Sequence, residues 1–503
     1  MILMSPVPRA IMSAVLSNPP IDAGISMSHS EKAYLGIDIG TGGVRGLAVT
    51  VDGRVLAQAD AAIEAQPAQP DRHEQAPEAW WTAAVRVLRE LGRTPGLAGI
   101  AVDGTSGTVL AIDADGTPLR LAMMYNDPRS VAEAEALNVA GAELCAKLGY
   151  RFAASYALAK IAWVRNNEPA CFDRAARFIH QADYLAGKLT GDFTVTDYSN
   201  ALKTGYDLVE ECWPDFIGAH LGILDRLPRV VALGQPVGKV SREIAEMAGL
   251  PEELPVFAGA SDGTAACIAS GIRRPGDYNT TIGTTMVFKG ISERLCQHPD
   301  GLVYCHKLPG GRWLPGAASN TGAEWTTQRF AGEDPSALST ASAAHLPTRH
   351  LAYPMMRKGE RFPFLSASAE GFVTPEPAGT VEDFAAHLQG TAFVERWAYE
   401  VLDEVSGATG GEVFSMGGGS RSDVWMQCRA DVTGRPVHRP ACAESAFGSA
   451  VLAAAGGHYG DVWSAIESMV RVERSFTPDA AKRTTYDEYY AAFRAEMKNR
   501  GYA

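Results

Sequence analysis

Two segments far apart in this chain read alike, and that likeness constrains the fold more than any other feature. Within residues 33–53 an apolar run enters Ile39-Gly40-Thr41-Gly42-Gly43 and a second apolar run leaves it. In the second half, residues 277–281 enter Ile282-Gly283-Thr284-Thr285, and Met286–Gly290 leaves it. Each reads as strand, glycine turn, strand. Three shared residues are a weak repeat, but matched strands on both sides mark a duplicated domain. A third turn, Gly417-Gly418-Gly419, follows a strand over Val413–Met416 and precedes a helix over 423–433.

The duplication places an N-terminal domain over 33–271 and a C-terminal domain over 272–503. Of the 503 residues 46% are hydrophobic, enough for a buried core in each. Asp52-Gly53 predicts a hairpin into a third strand over 54–57. A helix starts near Pro77 with Trp80, Ala84, Val87 and Leu88 on one face. Strands are expected over 97–102 and Val109–Ile112, a turn at Asp115-Gly116, and helices over 130–148 and 157–166. The last helix is expected to begin near Glu444, with Ser445, Ala446, Gly448, Ala450 and 453–455 all small.

Residues 1–32 carry four prolines in a short apolar stretch and a single early arginine, Arg9. They lack the basic start and clean apolar core of a secretory signal, so a disordered extension is expected, with Met27 a second candidate start. A net charge of −13 disfavours a nucleic-acid or membrane-surface partner. None of the 8 cysteines is spaced as CxxC or beside histidines in a zinc pattern. They read as reduced, mostly buried thiols, and the cytoplasm is the expected compartment.

The glycine turns lack a Cβ, so their N–H groups can approach an anion, and Thr41, Thr284 and Thr285 add hydroxyls. Each is equally a tight turn with no ligand. Neither GxxxxGK[ST] nor GxGxxG is present, because Arg45 stands where the last glycine would be. Asp38, at a strand end before the first turn, suits a Mg²⁺ ion beside phosphates or a turn that bonds its own backbone. Asp262 follows the small residues Gly259-Ala260-Ser261 and precedes an alanine-rich helix. It suits a base that takes a proton from a substrate hydroxyl during phosphoryl transfer, or a helix cap.

Gly-Ile-Asp-Ile-Gly-Thr (36–41), Gly-Ala-Ser-Asp-Gly-Thr (259–264), Thr-Ile-Gly-Thr-Thr (281–285) and Gly-Gly-Gly-Ser-Arg-Ser-Asp-Val-Trp (417–425) together resemble the FGGY carbohydrate kinases. Tyr125-Asn126-Asp127-Pro128-Arg129, Lys160-Ile161-Ala162-Trp163, Leu189-Thr190-Gly191 and Gly359-Glu360-Arg361-Phe362-Pro363 extend the resemblance in the family's order, from 33 to about 456. It implies an α/β fold of the two-domain actin-like ATPase type (ribonuclease H-like, as in hexokinase and Hsp70), closing on a deep interdomain cleft. It also implies ATP and Mg²⁺ as cofactors and a small sugar as partner, with a homodimer left open. On matching positions Asp262 is the catalytic base and Asp38 positions Mg²⁺ and sugar. Gly40, Thr41, Gly42, Gly43, Gly283, Thr284 and Thr285 hold phosphates. Gly417, Gly418, Gly419, Ser422 and Gly322 line the nucleotide site.

The sugar-facing segment is expected at Asp103-Gly104-Thr105-Ser106. It has neither the Gln-Met-His-Gly of typical xylulokinases nor the Arg-Glu of glycerol kinases, and it resembles the xylulokinase-like branch whose members look like D-ribulose kinases. Asp103, Thr105 and Ser106 are the expected sugar contacts, followed by Asp127 and Asn200. Hydroxyls and carboxylates suit a polyol because each pairs with a sugar hydroxyl. Asp127 is alternatively a salt-bridge partner of Arg129, and His180 reads as a core histidine. The expected reaction is D-ribulose to D-ribulose 5-phosphate. Rivals are kinases of D-xylulose, L-ribulose or a polyol, a non-enzymatic ATP switch of the actin or Hsp70 sort, and, least, an NAD-dependent oxidoreductase.

Overall fold

The computed structural model describes residues 32–64, 71–408 and 410–503, so all but the last residue of the expected extension, Met27 included, lies outside the described residues. Two mixed sheets organise the rest. The first has six strands in the order Pro236–Lys239, Pro255–Phe257, Leu97–Gly104, Ala33–Ile39, Gly43–Thr50, Val55–Ala62. The second has seven, in the order Tyr304–Lys307, Trp313–Ser319, Met286–Gly290, Tyr278–Ile282, Val413–Met416, Val437–Pro440, Val472–Phe476.

The repeat seen in sequence is a repeat of topology. Ala33–Ile39 pairs antiparallel with Gly43–Thr50 across the first turn and parallel with Leu97–Gly104 on its other side. Tyr278–Ile282 pairs antiparallel with Met286–Gly290 and parallel with Val413–Met416. Strands buried on both faces need near-continuous apolar sequence, which Ala33–Ile39 has: only Asp38 is partly exposed. The Asp52-Gly53 hairpin forms, and its third strand runs longer than expected, over Val55–Ala62.

Two helices join the sheets. Asp262–Ser270 and Ser445–Ala454 pack on each other, with Ala265 and Ile268 of one and Ala446, Phe447, Ala450 and Val451 of the other in a single apolar cluster. A Cβ on Gly448 would lie 1.9 Å from Ala265 O, and one on Gly36 would lie 1.8 Å from Ala446 O. The small residues of this helix are therefore spent on backbone-to-backbone approach, to its partner helix on one side and to the first sheet on the other.

Two sequence expectations change. The helix near Glu444 is not the last: Val462–Met469 and Arg483–Asn499 follow, the latter burying Tyr486, Tyr490, Phe493 and Met497. The helix over 130–148 is two, Val131–Ala140 and Ala142–Leu148, because the chain breaks at Gly141, where Phe216 packs against the glycine. The two halves also meet in space: Ser445–Ala454 belongs to the second half in sequence and rests on the first sheet, and Tyr459 and Arg471 bond Val51 O and Asp52 O. The thiols are all free, and Cys267, Cys296, Cys305 and Cys428 are buried while Cys212 is exposed. Among the described residues no helix is long and apolar enough to cross a membrane.

Candidate active site

The carboxyl ends of the parallel strands, where open α/β sheets bind ligands, gather the polar residues of the first sheet. Ile39 is the register partner of Gly104, and Gly104 bridges to Ser261. This brings the turn at 40–43, the segment 104–106 and the start of the Asp262–Ser270 helix together. In the second sheet Thr281 is the register partner of Met416, so the turns at 283–285 and 417–419 share one end.

Three acids meet at the first of these ends. Asp38 and Asp103 are register partners on adjacent parallel strands. Asp103 is 0% exposed, and its Oδ2 accepts a 2.5 Å hydrogen bond from Ser449 Oγ. Burial first, then the Asp38 charge, push Asp103 well above the carboxylate range. Burial also raises Asp38, opposed by a hydrogen bond from Asp103. Burial and mutual repulsion favour one shared proton between the two carboxyls, resting on Asp103, the more deeply enclosed.

Asp262 is the first residue of its helix, with Ser261 in the capping position. Its Oδ1 accepts from its neighbour's N–H, Gly263 N, at 2.6 Å. Burial raises its pKa, while the Gly263 and Ser106 N–H groups and the ammonium groups of Lys289 and Lys203 pull it down. Burial lowers Lys289 and Lys203, the latter to about 8. The site thus sets a carboxylate raised by burial near two lysines that burial lowers.

Around it lie buried polar atoms with no protein partner: Ser106 Oγ, Asn200 Oδ1 and Gln181 Nε2. Such orphans are costly unless a ligand or water answers them. Other expected sugar contacts are already engaged. Thr105 bonds Gln181 through both N–H and hydroxyl and contacts Thr108. Asn200 Nδ2 donates to Asp197 at 2.7 Å. Asp127 is taken by Arg129 and by His73 N, the salt-bridge alternative. Asp103 is fully enclosed, with its Oδ1 among the buried oxygens that no protein donor answers. His180 is buried between Asp183, Thr196 and Thr204.

The turns differ in how their glycines are used. Gly42 and Gly418 face open space, and Thr41, Gly283 and Thr284 are exposed. Gly417 has φ +83°, and a Cβ there would meet Ile282 O at 2.5 Å. Gly322 packs behind the second turn: a Cβ there would lie 2.4 Å from Thr284 O. A cavity of about 480 Å³ opens beside Gly418, Gly419 and Ser422, walled by Ala323, Phe384 and Leu388. Ser422 also caps the following helix through Trp425 N and bonds Ser339.

Sequence reasoning missed Ser449, Lys289 and any role for Lys203. A lysine inside the buried strand Met286–Gly290 is the signal for Lys289; Ser449 hides among small helix residues.

A duplicated sheet-and-turn scaffold, with a buried acid at a helix start and a cavity beside a glycine turn, is the arrangement of a two-domain phosphotransferase. Residues 33–269 match the N-terminal domain of the FGGY family of carbohydrate kinases and 278–456 match its C-terminal domain. The chain belongs to this family and is a carbohydrate kinase. It is 26% identical over 489 residues to a xylulose kinase of Staphylococcus epidermidis, spanning 93% of this chain and 97% of that one. The crystal structure of a xylulose kinase from Rhodospirillum rubrum superposes with a TM-score of 0.83 at 30% identity, covering 93% of this chain and 99% of that one. The Plasmodium falciparum glycerol kinase with ADP shares the fold at a TM-score of 0.82 and 19% identity, covering 94% and 99%.

Proposed function

We propose that the protein transfers the γ-phosphoryl group of ATP to a terminal hydroxyl of a pentulose, with D-ribulose as the acceptor and D-ribulose 5-phosphate as the product. Asp262 takes the hydroxyl proton, and the freed oxygen attacks the γ-phosphorus in line. Ser106 Oγ, buried without a partner, meets an oxygen of the sugar. The backbone N–H groups and threonines of the turns at 40–43 and 283–285 hold the phosphates, and the adenosine lies along Gly417–Gly419 and Ser422.

Mg²⁺ suits the chemistry of Asp38. That carboxylate is partly exposed beside the first turn, while among the described residues no three acids, histidines or cysteines form a metal cage. One carboxylate with phosphate oxygens and waters is how this ion is usually held. When bound, it neutralises charge on the phosphates. Asp103 faces Asp38, and its hydrogen bond opposes the rise that burial gives Asp38.

The observation that carries this reading is Asp262, an acid of raised pKa at the meeting of Ser106, Lys203 and Lys289. Absence of the Gln-Met-His-Gly and Arg-Glu signatures at 103–106 supports D-ribulose over D-xylulose and glycerol. D-xylulose is the second reading, favoured by the names of the relatives. Coupled ADP release measured across pentuloses, pentitols and glycerol tests both. The highest kcat/KM is expected with D-ribulose; a preference for D-xylulose establishes the second reading, and ADP release that ignores added sugar refutes both.

A further inference from the structure

Cys296 and Cys305 stand at the two ends of one loop, with eight residues between them, and meet at its base. The Cys296 N–H donates to Cys305 Sγ at 3.3 Å, and the Cys305 thiol donates to Cys296 O at 3.3 Å. The Cys296 thiol turns to Arg294 O at 3.4 Å. Both residues are buried, and among the described residues no other two of the 8 cysteines share a hydrogen bond. Bonding by the Cys305 thiol holds Cys296 down to about 7 against burial, with help from Ser292 and Arg294, while burial raises Cys305. The loop lies where the two halves of the chain face each other. Gln297 Nε2 donates to Ala146 O at 3.2 Å and to Lys147 O at 2.5 Å, near the carboxyl end of the helix Ala142–Leu148. Gln297 and Tyr304, which flank the two thiols from inside the loop, also wall a cavity of about 940 Å³.

Buried thiols that only pack are inert and carry a raised pKa, so an acidic sulfur beside a protonated one is unlike a pair kept for packing alone. A short loop whose ends already touch has little further chain entropy to lose when they are joined. We propose that Cys296 and Cys305 are a modification site, a reversible disulfide pair whose oxidant is a hydroperoxide and whose reductant is a dithiol. The Cys296 thiolate attacks one peroxide oxygen, the O–O bond breaks, and hydroxide leaves and takes up a proton, so that Cys296 becomes a sulfenic acid. Cys305 then attacks the sulfenic sulfur; the S–O bond breaks, the S–S bond forms, and the Cys305 proton leaves with the hydroxyl as water. Two thiols lose two electrons, one peroxide gains them, and two waters form. The bond ties the base of the loop that Gln297 holds against the first half of the chain.

The test uses the full-length protein and does not depend on the sugar. The protein is treated with hydrogen peroxide at neutral pH, unfolded in urea with iodoacetamide, digested with trypsin and mapped by mass spectrometry. Cleavage after Arg294 and Lys307 leaves both cysteines in one peptide, residues 295–307. This peptide is expected to lose both alkylation sites together and to become about 2 Da lighter than the dithiol form, before the exposed Cys212 reacts, and dithiothreitol should restore both sites. In Cys305→Ser the sulfenic acid has no partner, so Cys296 should pass to the sulfinic acid, about 32 Da heavier, which dithiothreitol does not reverse. Three results in the wild type would each overturn the proposal, whether or not that variant folds. They are full alkylation of both sites after Cys212 has been oxidised, a sulfinic acid on Cys296 with Cys305 still alkylated, and a link from either thiol to a different cysteine.

Discussion

Replacing Asp103 by asparagine tests the shared proton at the heart of the site. Asp103 is fully enclosed, hydrogen-bonded by Ser449 and register-paired with Asp38. Its folded pKa is raised well above that of the unfolded chain, by burial and then by the Asp38 charge. A group raised on folding favours the folded state fully below its unfolded pKa, and that contribution fades as pH rises through the folded value. Across this window each pH unit costs the wild type up to about 1.4 kcal/mol. Asparagine places an amide where the protonated acid stood: its NH2 donates toward Asp38, its carbonyl accepts from Ser449, and it does not titrate. The stability of Asp103→Asn relative to wild type should therefore grow with pH, by up to about 2.7 kcal/mol over two units. Urea unfolding of both proteins at matched pH values, from weakly acidic to weakly alkaline, measures it. A difference that stays flat across the series would mean that Asp103 is ionised in the folded protein, and the shared proton would be wrong.

Three further outcomes follow from contacts within the fold. Gly448→Ala pushes a Cβ against Ala265 O in the helix that begins at Asp262; a stability loss of about 3 kcal/mol is expected on denaturation, with loss of turnover. Arg429 and Glu395 form a fully buried pair with two 2.6 Å hydrogen bonds, so Arg429→Met strands a carboxylate and costs about 3–5 kcal/mol by denaturant titration. Ser106→Ala raises KM for the sugar more than for ATP in steady-state kinetics; equal effects on both would remove Ser106 from the sugar site.

Much of the architecture was legible because its signals are local. Glycine turns between apolar runs at 39–43 and 282–285 announced both central hairpins, and the structure adds that each hairpin's first strand has a parallel partner on its other side. Asp262 could be placed at a helix start from Ser261 and the alanines that follow. What stayed hidden depends on distant pairing. Nothing in the segments around Asp38 and Asp103 says that these acids are opposite one another, since strand register across a crossover is set by the whole sheet. The helix Ser445–Ala454 reads as an ordinary small-residue helix, and only packing shows that it rests on the other half of the chain. Asp127 was the ambiguous residue, and its partner two positions away, Arg129, engages it in the folded chain.

In the proposed reaction Asp262 is the group that removes the acceptor's proton. Asp262→Asn keeps the shape and the helix start while removing the base, so sugar-dependent ADP release under saturating sugar and ATP measures its contribution directly. A fall in kcat of about 10²–10⁴ is expected, with KM for ATP little changed. Turnover close to that of the wild type would contradict the mechanism.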